Sequence, residues 1–120
     1  MTIKQIIDKQ MEAYDNRDID NMMTVFSDDI KIFNFSDNKK LVDGTEECKK
    51  MYSELFNLSP NLHAEIINTI TFDNNVIVHE YIFGRNGSDE KMEQVIIFEV
   101  KNEKINKINI IRKDAYNVKS

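Results

Sequence analysis

Apolar positions near the N-terminus recur at helical spacing. Ile3, Ile6, Ile7, Met11 and Tyr14 share one face, and Thr2 with Gln5 forms a capping box ahead of them. Gln10 is the one polar interruption of that face. Asp18 predicts the cap of a second, short helix carrying Ile19, Met22, Met23 and Phe26, which Ser27-Asp28-Asp29 ends. Ile30, Ile32 and Asn34 then alternate with Lys31, Phe33 and Phe35, the pattern of a strand apolar on both faces. Polar Ser36–Lys40 predicts a turn, and Leu41-Val42 a short return strand. Asp43-Gly44-Thr45 opens a third helix, with either Asp43 (and Glu46) or Thr45 as its cap. Its stripe is the cleanest in the chain: Cys48, Met51, Tyr52, Leu55 and Phe56. Pro60, the sole proline, stops it with Ser59.

The remainder has the period of strands: Leu62–Phe72, Val76–Arg85, Lys91–Val100 and Ile105–Arg112, joined by short polar turns. Helices followed by an antiparallel meander make an α+β layout. The last three strands are apolar on both faces, as in Val95-Ile96-Ile97-Phe98. Helices cover only one face of such a sheet, so a second copy of the chain is expected on the other, against Val95, Ile97, Glu99, Ile111 and the outward side of Val76–Arg85. Residues 1–112 are expected to form one domain, with Lys113–Ser120, which shows no period, a loose tail.

Hairpin arithmetic converts these strands into a constellation. Asn86-Gly87, as a two- or four-residue loop, sets His79 opposite Gln94 and Tyr81 opposite Met92. A three-residue loop at Asn102-Glu103-Lys104 pairs Phe98 with Ile108, Ile96 with Ile110, and Gln94 with Arg112, which keeps the apolar residues on one face. The expected result is a polar row, His79, Gln94 and Arg112, beside Tyr81, Ile96, Phe98, Ile108 and Ile110. A few polar groups on an apolar concave surface are the usual make-up of a ligand pocket.

Composition narrows the class. The 120 residues carry a formal charge of -5, which supplies no basic field for nucleic acid or an anionic membrane. No apolar run is long enough to span a bilayer, and the N-terminus has no continuous apolar core of a signal peptide. A single cysteine, Cys48, excludes an internal disulfide and makes the cytoplasm the expected compartment. Two histidines, His63 and His79, on different strands give no metal-ligand spacing, and three glycines give no phosphate loop, so neither metal nor cofactor is expected.

Several stretches resemble one superfamily. Ala13–Ile30 (AYDNRDIDNMMTVFSDDI), Asp43–Tyr52 (DGTEECKKMY), Ser59–Glu65 (SPNLHAE) and Val78–Arg85 (VHEYIFGR) resemble nuclear transport factor 2-like proteins, in particular the SnoaL-like polyketide cyclase and ketosteroid isomerase branch. The resemblance implies a cone in which three helices pack into a strongly bent antiparallel sheet, often dimeric through the outer sheet face. It puts His79, Tyr81, Gln94, Ile96, Phe98, Ile108 and Ile110 inside, and Glu80, Glu93 and Glu99 outside. Carried over residue by residue, the ketosteroid isomerase machinery is missing: the base aspartate falls at Asn34, the oxyanion-hole tyrosine at Gln10 and the carboxylic acid at Ile96. Tyr52 matches a supporting tyrosine; SnoaL-like cyclases use an aspartate base and a cavity histidine, and by this resemblance His79 is the candidate for that histidine, with no clear inward aspartate beside it.

The candidate ligand-binding residues are therefore Gln10, Tyr14, Asn34, Tyr52, Tyr81, Gln94, Ile96, Phe98, Ile108, Ile110 and Arg112, with His79 the candidate base. The favoured expectation is a mainly apolar pocket binding a small apolar or amphipathic organic molecule. The alternative is a small isomerase, cyclase or dehydratase moving protons on a carbonyl compound through His79. A third is a homodimerising scaffold without ligand.

Overall fold

The computed structural model describes residues 1–112; the tail expected at Lys113–Ser120 lies outside them. Helix α1 (Ile3–Asp15) starts at Thr2, whose hydroxyl accepts from the Gln5 N–H while the Gln5 side chain accepts from the Thr2 N–H. It buries Ile6, Ile7, Gln10, Ala13 and Tyr14. Helix α2 (Ile19–Met23) is capped by Asp18. It ends before Phe26, which opens strand β1 (Phe26–Asn34); Ser27-Asp28-Asp29, expected to terminate a helix, lie within that strand. Strand β2 (Lys39–Asp43) returns against it.

Helix α3 (Thr45–Leu58) buries Cys48, Tyr52 and Phe56. Neither expected cap is used: Gly44 occupies the N-cap, the Asp43 N–H donates to Glu47, and the Thr45 hydroxyl donates to the Asp28 carbonyl. Acidic Glu46 and Glu47 in the first turn suit the positive end of the helix dipole. Strands β3 (His63–Phe72), β4 (Asn75–Phe83), β5 (Met92–Lys101) and β6 (Lys104–Arg112) complete one sheet in the order β2-β1-β6-β5-β4-β3. All neighbours are antiparallel except β1 and β6. Register shifts interrupt the ladders near Ile67, Leu41 and Asn106, and such bulges bend and twist a sheet so that it wraps the helices. The core between helices and sheet centres on Phe98, Met22, Ile30, Ile32, Ile108 and Leu62, all 2 % exposed or less.

The two C-terminal hairpins behave differently. In β5–β6, Gln94 pairs with Arg112, Ile96 with Ile110 and Phe98 with Ile108, the register expected from the apolar pattern. The turn itself is shorter than expected: Lys101 pairs with Lys104 across Asn102-Glu103, both at positive φ (52° and 61°), and the irregularity before Ile105 absorbs the difference. In β4–β5, Ile82, not Tyr81, pairs with Met92. Asn86-Gly87 is not a tight hairpin turn; it belongs to a 3-10 turn, η1 (Arg85–Gly87), within a longer connection. A slip of one residue turns every side chain of a strand to the other face. His79 therefore lies opposite Val95, and Glu80 opposite Gln94.

Candidate functional site

The inner face of β4 carries Val76, Val78, Glu80 and Ile82, all buried, while Ile77, His79 and Tyr81 face outward. The expected base and its neighbour Tyr81 thus point away from the helices, which corrects the His79–Gln94–Arg112 row. On the outer face the His79 Nε2 lies 2.6 Å from Glu93 Oε2, and Lys91 sits over the Tyr81 ring.

The inner polar row is instead Glu80, Gln94 and Arg112. Gln94 joins the other two: its Nε2 donates to Glu80 Oε2 at 2.7 Å, and its Oε1 accepts from Arg112 Nε at 3.1 Å. Glu80 is 2 % exposed and Gln94 4 %. The second carboxyl oxygen, Glu80 Oε1, is buried without a hydrogen-bond partner among the described residues. Loss of solvent around the carboxyl pushes Glu80 up to about 7, against the opposing bond from Gln94. A carboxyl in that range takes and gives protons at neutral pH.

Tyr14 on α1 and Tyr52 on α3 are buried in the core between the helices and the sheet. Tyr14 meets Phe56 edge-on, and Tyr52 stacks on Phe26. Burial raises both phenols, so both hydroxyls remain protonated donors, and both are within the electrostatic reach of Glu80 and Arg112. Tyr14 is positioned by its neighbour: Asp15 accepts from the Ala64 N–H at 2.9 Å and so pins the end of α1 to the start of β3. Gln10, one turn earlier and 3 % exposed, has its Oε1 buried without a partner among the described residues.

Arg85, on η1, acts on this cluster through its charge. Its charge lowers the Tyr14 phenol and the Arg112 guanidinium alike. The turn that carries it is built by tertiary contact. Gly84 has φ 74°, and a Cβ there would stand 2.5 Å from the Asn61 carbonyl oxygen, so only glycine fits. The Asn86 N–H donates to the hydroxyl of fully buried Ser59 at 2.8 Å.

The remaining expected site residues divide. Ile96, Phe98, Ile108 and Ile110 form the apolar wall next to the polar row on β5 and β6. Asn34 shares a sheet row with Ile110, but its amide donates to Asp37 Oδ1 in the β1–β2 turn at 2.8 Å. Reasoning from sequence missed Glu80 and Arg85. The only signal for Glu80 was parity with Val76, Val78 and Ile82, which the equally apolar opposite face obscured. Cys48 is fully buried and its thiol pushed up to about 12 by burial, so it is a packing residue. Among the described residues no group of His, Cys, Asp and Glu has the arrangement of a metal site, and no helix is long and apolar enough to cross a membrane.

Three helices against a bent, mostly antiparallel six-stranded sheet make this an α+β cone of the nuclear transport factor 2-like type. Residues 7–108 match the SnoaL-like domain, and the chain belongs to that family. No curated protein matches it. Among solved structures it is similar to a cystatin fold protein from Novosphingobium aromaticivorans, with 20% identity, TM-score 0.84, and 93% of this chain and 99% of that one covered. It is similar also to an NTF2-like protein from Cytophaga hutchinsonii (9% identity, TM-score 0.80, 100% and 96% covered). A third is an LEH-like epoxide hydrolase from M. tuberculosis (14% identity, TM-score 0.78, 96% and 84% covered). At these identities the likeness is one of fold.

Proposed function

We propose that the inner face of the sheet binds a small organic molecule, its apolar body against Ile96 and Ile110 and its polar head at the Glu80–Gln94–Arg112 row. Glu80, not His79, exchanges the proton with a bound carbonyl compound, and the Tyr14 and Tyr52 hydroxyls donate to its oxygen. The observation that carries this reading is the Glu80 carboxyl, buried with one oxygen bonded to Gln94 and the other without a partner among the described residues. A polar atom so placed is costly unless something completes it, and such costs concentrate at binding sites. An LEH-like epoxide hydrolase has the same fold, which supports small-molecule chemistry as a use of this fold.

The test combines binding with exchange. Small aldehydes and ketones are titrated into the 15N-labelled protein, and deuterium incorporation next to the carbonyl of any binder is followed in D2O. Shifts should converge on Glu80, Gln94, Arg112 and Tyr14, and Glu80→Gln should abolish incorporation while retaining binding. Shifts on another surface, or undiminished exchange in Glu80→Gln, refute the assignment.

The outer face supports a homodimer. Ile77, Val95, Ile97 and Ile111 lie there side by side, none of them buried, and β3 continues the surface with exposed Ile70 and Phe72. A contiguous apolar patch of this kind calls for a partner, and a second copy presents the same patch. The buried, unreactive Cys48 fits a reducing cytoplasm.

A further inference from the structure

The donors and acceptors along the inner row allow only one arrangement of hydrogens. Glu80, Gln94 and Arg112 are cross-strand partners on β4, β5 and β6, so the backbone register holds the three side chains abreast. An arginine Nε carries a hydrogen and has no lone pair to offer, so the group that meets it at 3.1 Å is the Gln94 amide oxygen. The other end of that amide is its NH2 group, which donates to Glu80 Oε2 at 2.7 Å. Gln94 cannot turn over to accept from a protonated Oε2, because its NH2 group would then meet the Arg112 N–H. Glu80 Oε2 is therefore an acceptor in either protonation state. The hydrogen of the neutral acid falls to Oε1, the buried oxygen without a partner among the described residues. Glu80 is 2 % exposed, has one neutral donor and makes no ion pair among the described residues, which favours the neutral acid over a carboxylate.

Building on the function proposed above, we propose that Arg112 and Gln94 are positioning residues that keep the Glu80 proton on Oε1, and that the ligand is an uncharged compound whose acceptor oxygen meets that proton. A buried O–H without an acceptor is costly, and an acceptor oxygen on the ligand removes the cost; a ligand that offers none leaves it standing. Once ionised, the carboxyl takes a proton back at the same atom, since Oε2 stays bonded to Gln94. The titratable groups acting on Glu80 come from three elements: Arg112 on β6, Asp15 and Tyr14 on α1, and Tyr52 on α3. Ile66 on β3, its other cross-strand partner, does not titrate. Both phenols stay protonated and Arg112 stays charged between pH 5.5 and 8.5.

The test uses cyclohexanone and methylenecyclohexane, which share a shape and differ in the acceptor oxygen. Each is titrated into the 15N-labelled full chain at pH 5.5 and 8.5, with affinity read from the shifts of Glu80, Gln94 and Arg112. At pH 5.5 the parent should bind the ketone about fivefold more tightly, the worth of one ordinary hydrogen bond. That preference should be gone at pH 8.5, above the value of about 7 to which burial raises Glu80. Glu80→Gln, whose NH2 group takes the place of the Oε1 hydrogen, should show the preference at both pH values. Arg112→Met frees the Gln94 amide to turn and accept from Oε2, so it should lose the preference at pH 5.5. Arg112→Lys, again a donor to Gln94 Oε1, should keep part of it. If the preference and its pH dependence survive in Arg112→Met, the positioning role is refuted, whether or not that variant melts below the parent. If the parent binds both compounds equally at the inner residues at pH 5.5, this proposal falls while the site stands. If neither compound perturbs those residues at either pH, both fall.

Discussion

The strongest lever on this molecule is Glu80. Its carboxyl is raised from the 4.5 of an unfolded glutamate to about 7, first by desolvation. The native state therefore binds a proton more tightly than the unfolded state, and stability follows the raised-pKa sign. The contribution is fully present below about 4.5, falls as pH rises, and is lost above about 7. A tenfold change in proton affinity is about 1.4 kcal/mol, so the cost of ionising Glu80 in place is about 3 kcal/mol. Glu80→Gln keeps the shape of the neutral acid, and its carbonyl can still accept from Gln94 Nε2. The variant should match the parent near pH 4.5 and exceed it by about 3 kcal/mol at pH 8, roughly 10 °C in Tm for a domain of this size. Urea unfolding of both proteins from pH 4.5 to 8.5 measures this, and the difference curve cancels the titration of other groups. A difference that is flat with pH, or a variant less stable than the parent at pH 8, would show that Glu80 is either solvated or ion-paired in the folded state.

Three further outcomes follow from the geometry. Gly84→Ala, which drives a Cβ to 2.5 Å from the Asn61 carbonyl at φ 74°, should destabilise the fold by about 2 kcal/mol or more in denaturant unfolding and broaden the Arg85 amide resonance. His79→Ala should leave inner-site binding within twofold of the parent, because the ring faces Glu93 on the other side of the sheet; loss of inner-site shifts in this variant would contradict the β4–β5 register. Light scattering at micromolar protein should give twice the 14.1 kDa chain mass, and Ile97→Lys should return it to one chain without loss of helix content in circular dichroism.

Local chemistry explains why much of this fold was legible in the chain. The Thr2–Gln5 capping box, the α3 stripe and the stop near Pro60 act within a few residues, and each appears as expected. The β5–β6 register was legible too, because only one alignment keeps Phe98 and Ile96 against Ile108 and Ile110, and that alignment also sets Gln94 beside Arg112. The Ser27-Asp28-Asp29 stretch was not legible: its polarity suggests a helix end, but the pairs on either side of it, Phe26 with Ile105 and Lys31 with Lys107, carry it as an irregular part of β1.

What tertiary structure alone decided is the face of β4. Val76, Val78 and Ile82 on one side and Ile77, Tyr81 and Phe83 on the other are equally apolar, so the pattern cannot choose between Glu80 and His79. The choice is made by the connection to β5, where Gly84 adopts a left-handed conformation against the Asn61 carbonyl and Ser59 holds the Asn86 N–H. Those contacts join residues far apart in sequence and fix the connection's length. Through the two-residue period of a strand, that length decides which titratable side chain enters the core. The pattern alone gives helices packed on an antiparallel sheet with an apolar interior; packing of one turn against the end of α3 makes its polar end a carboxyl joined through Gln94 to Arg112.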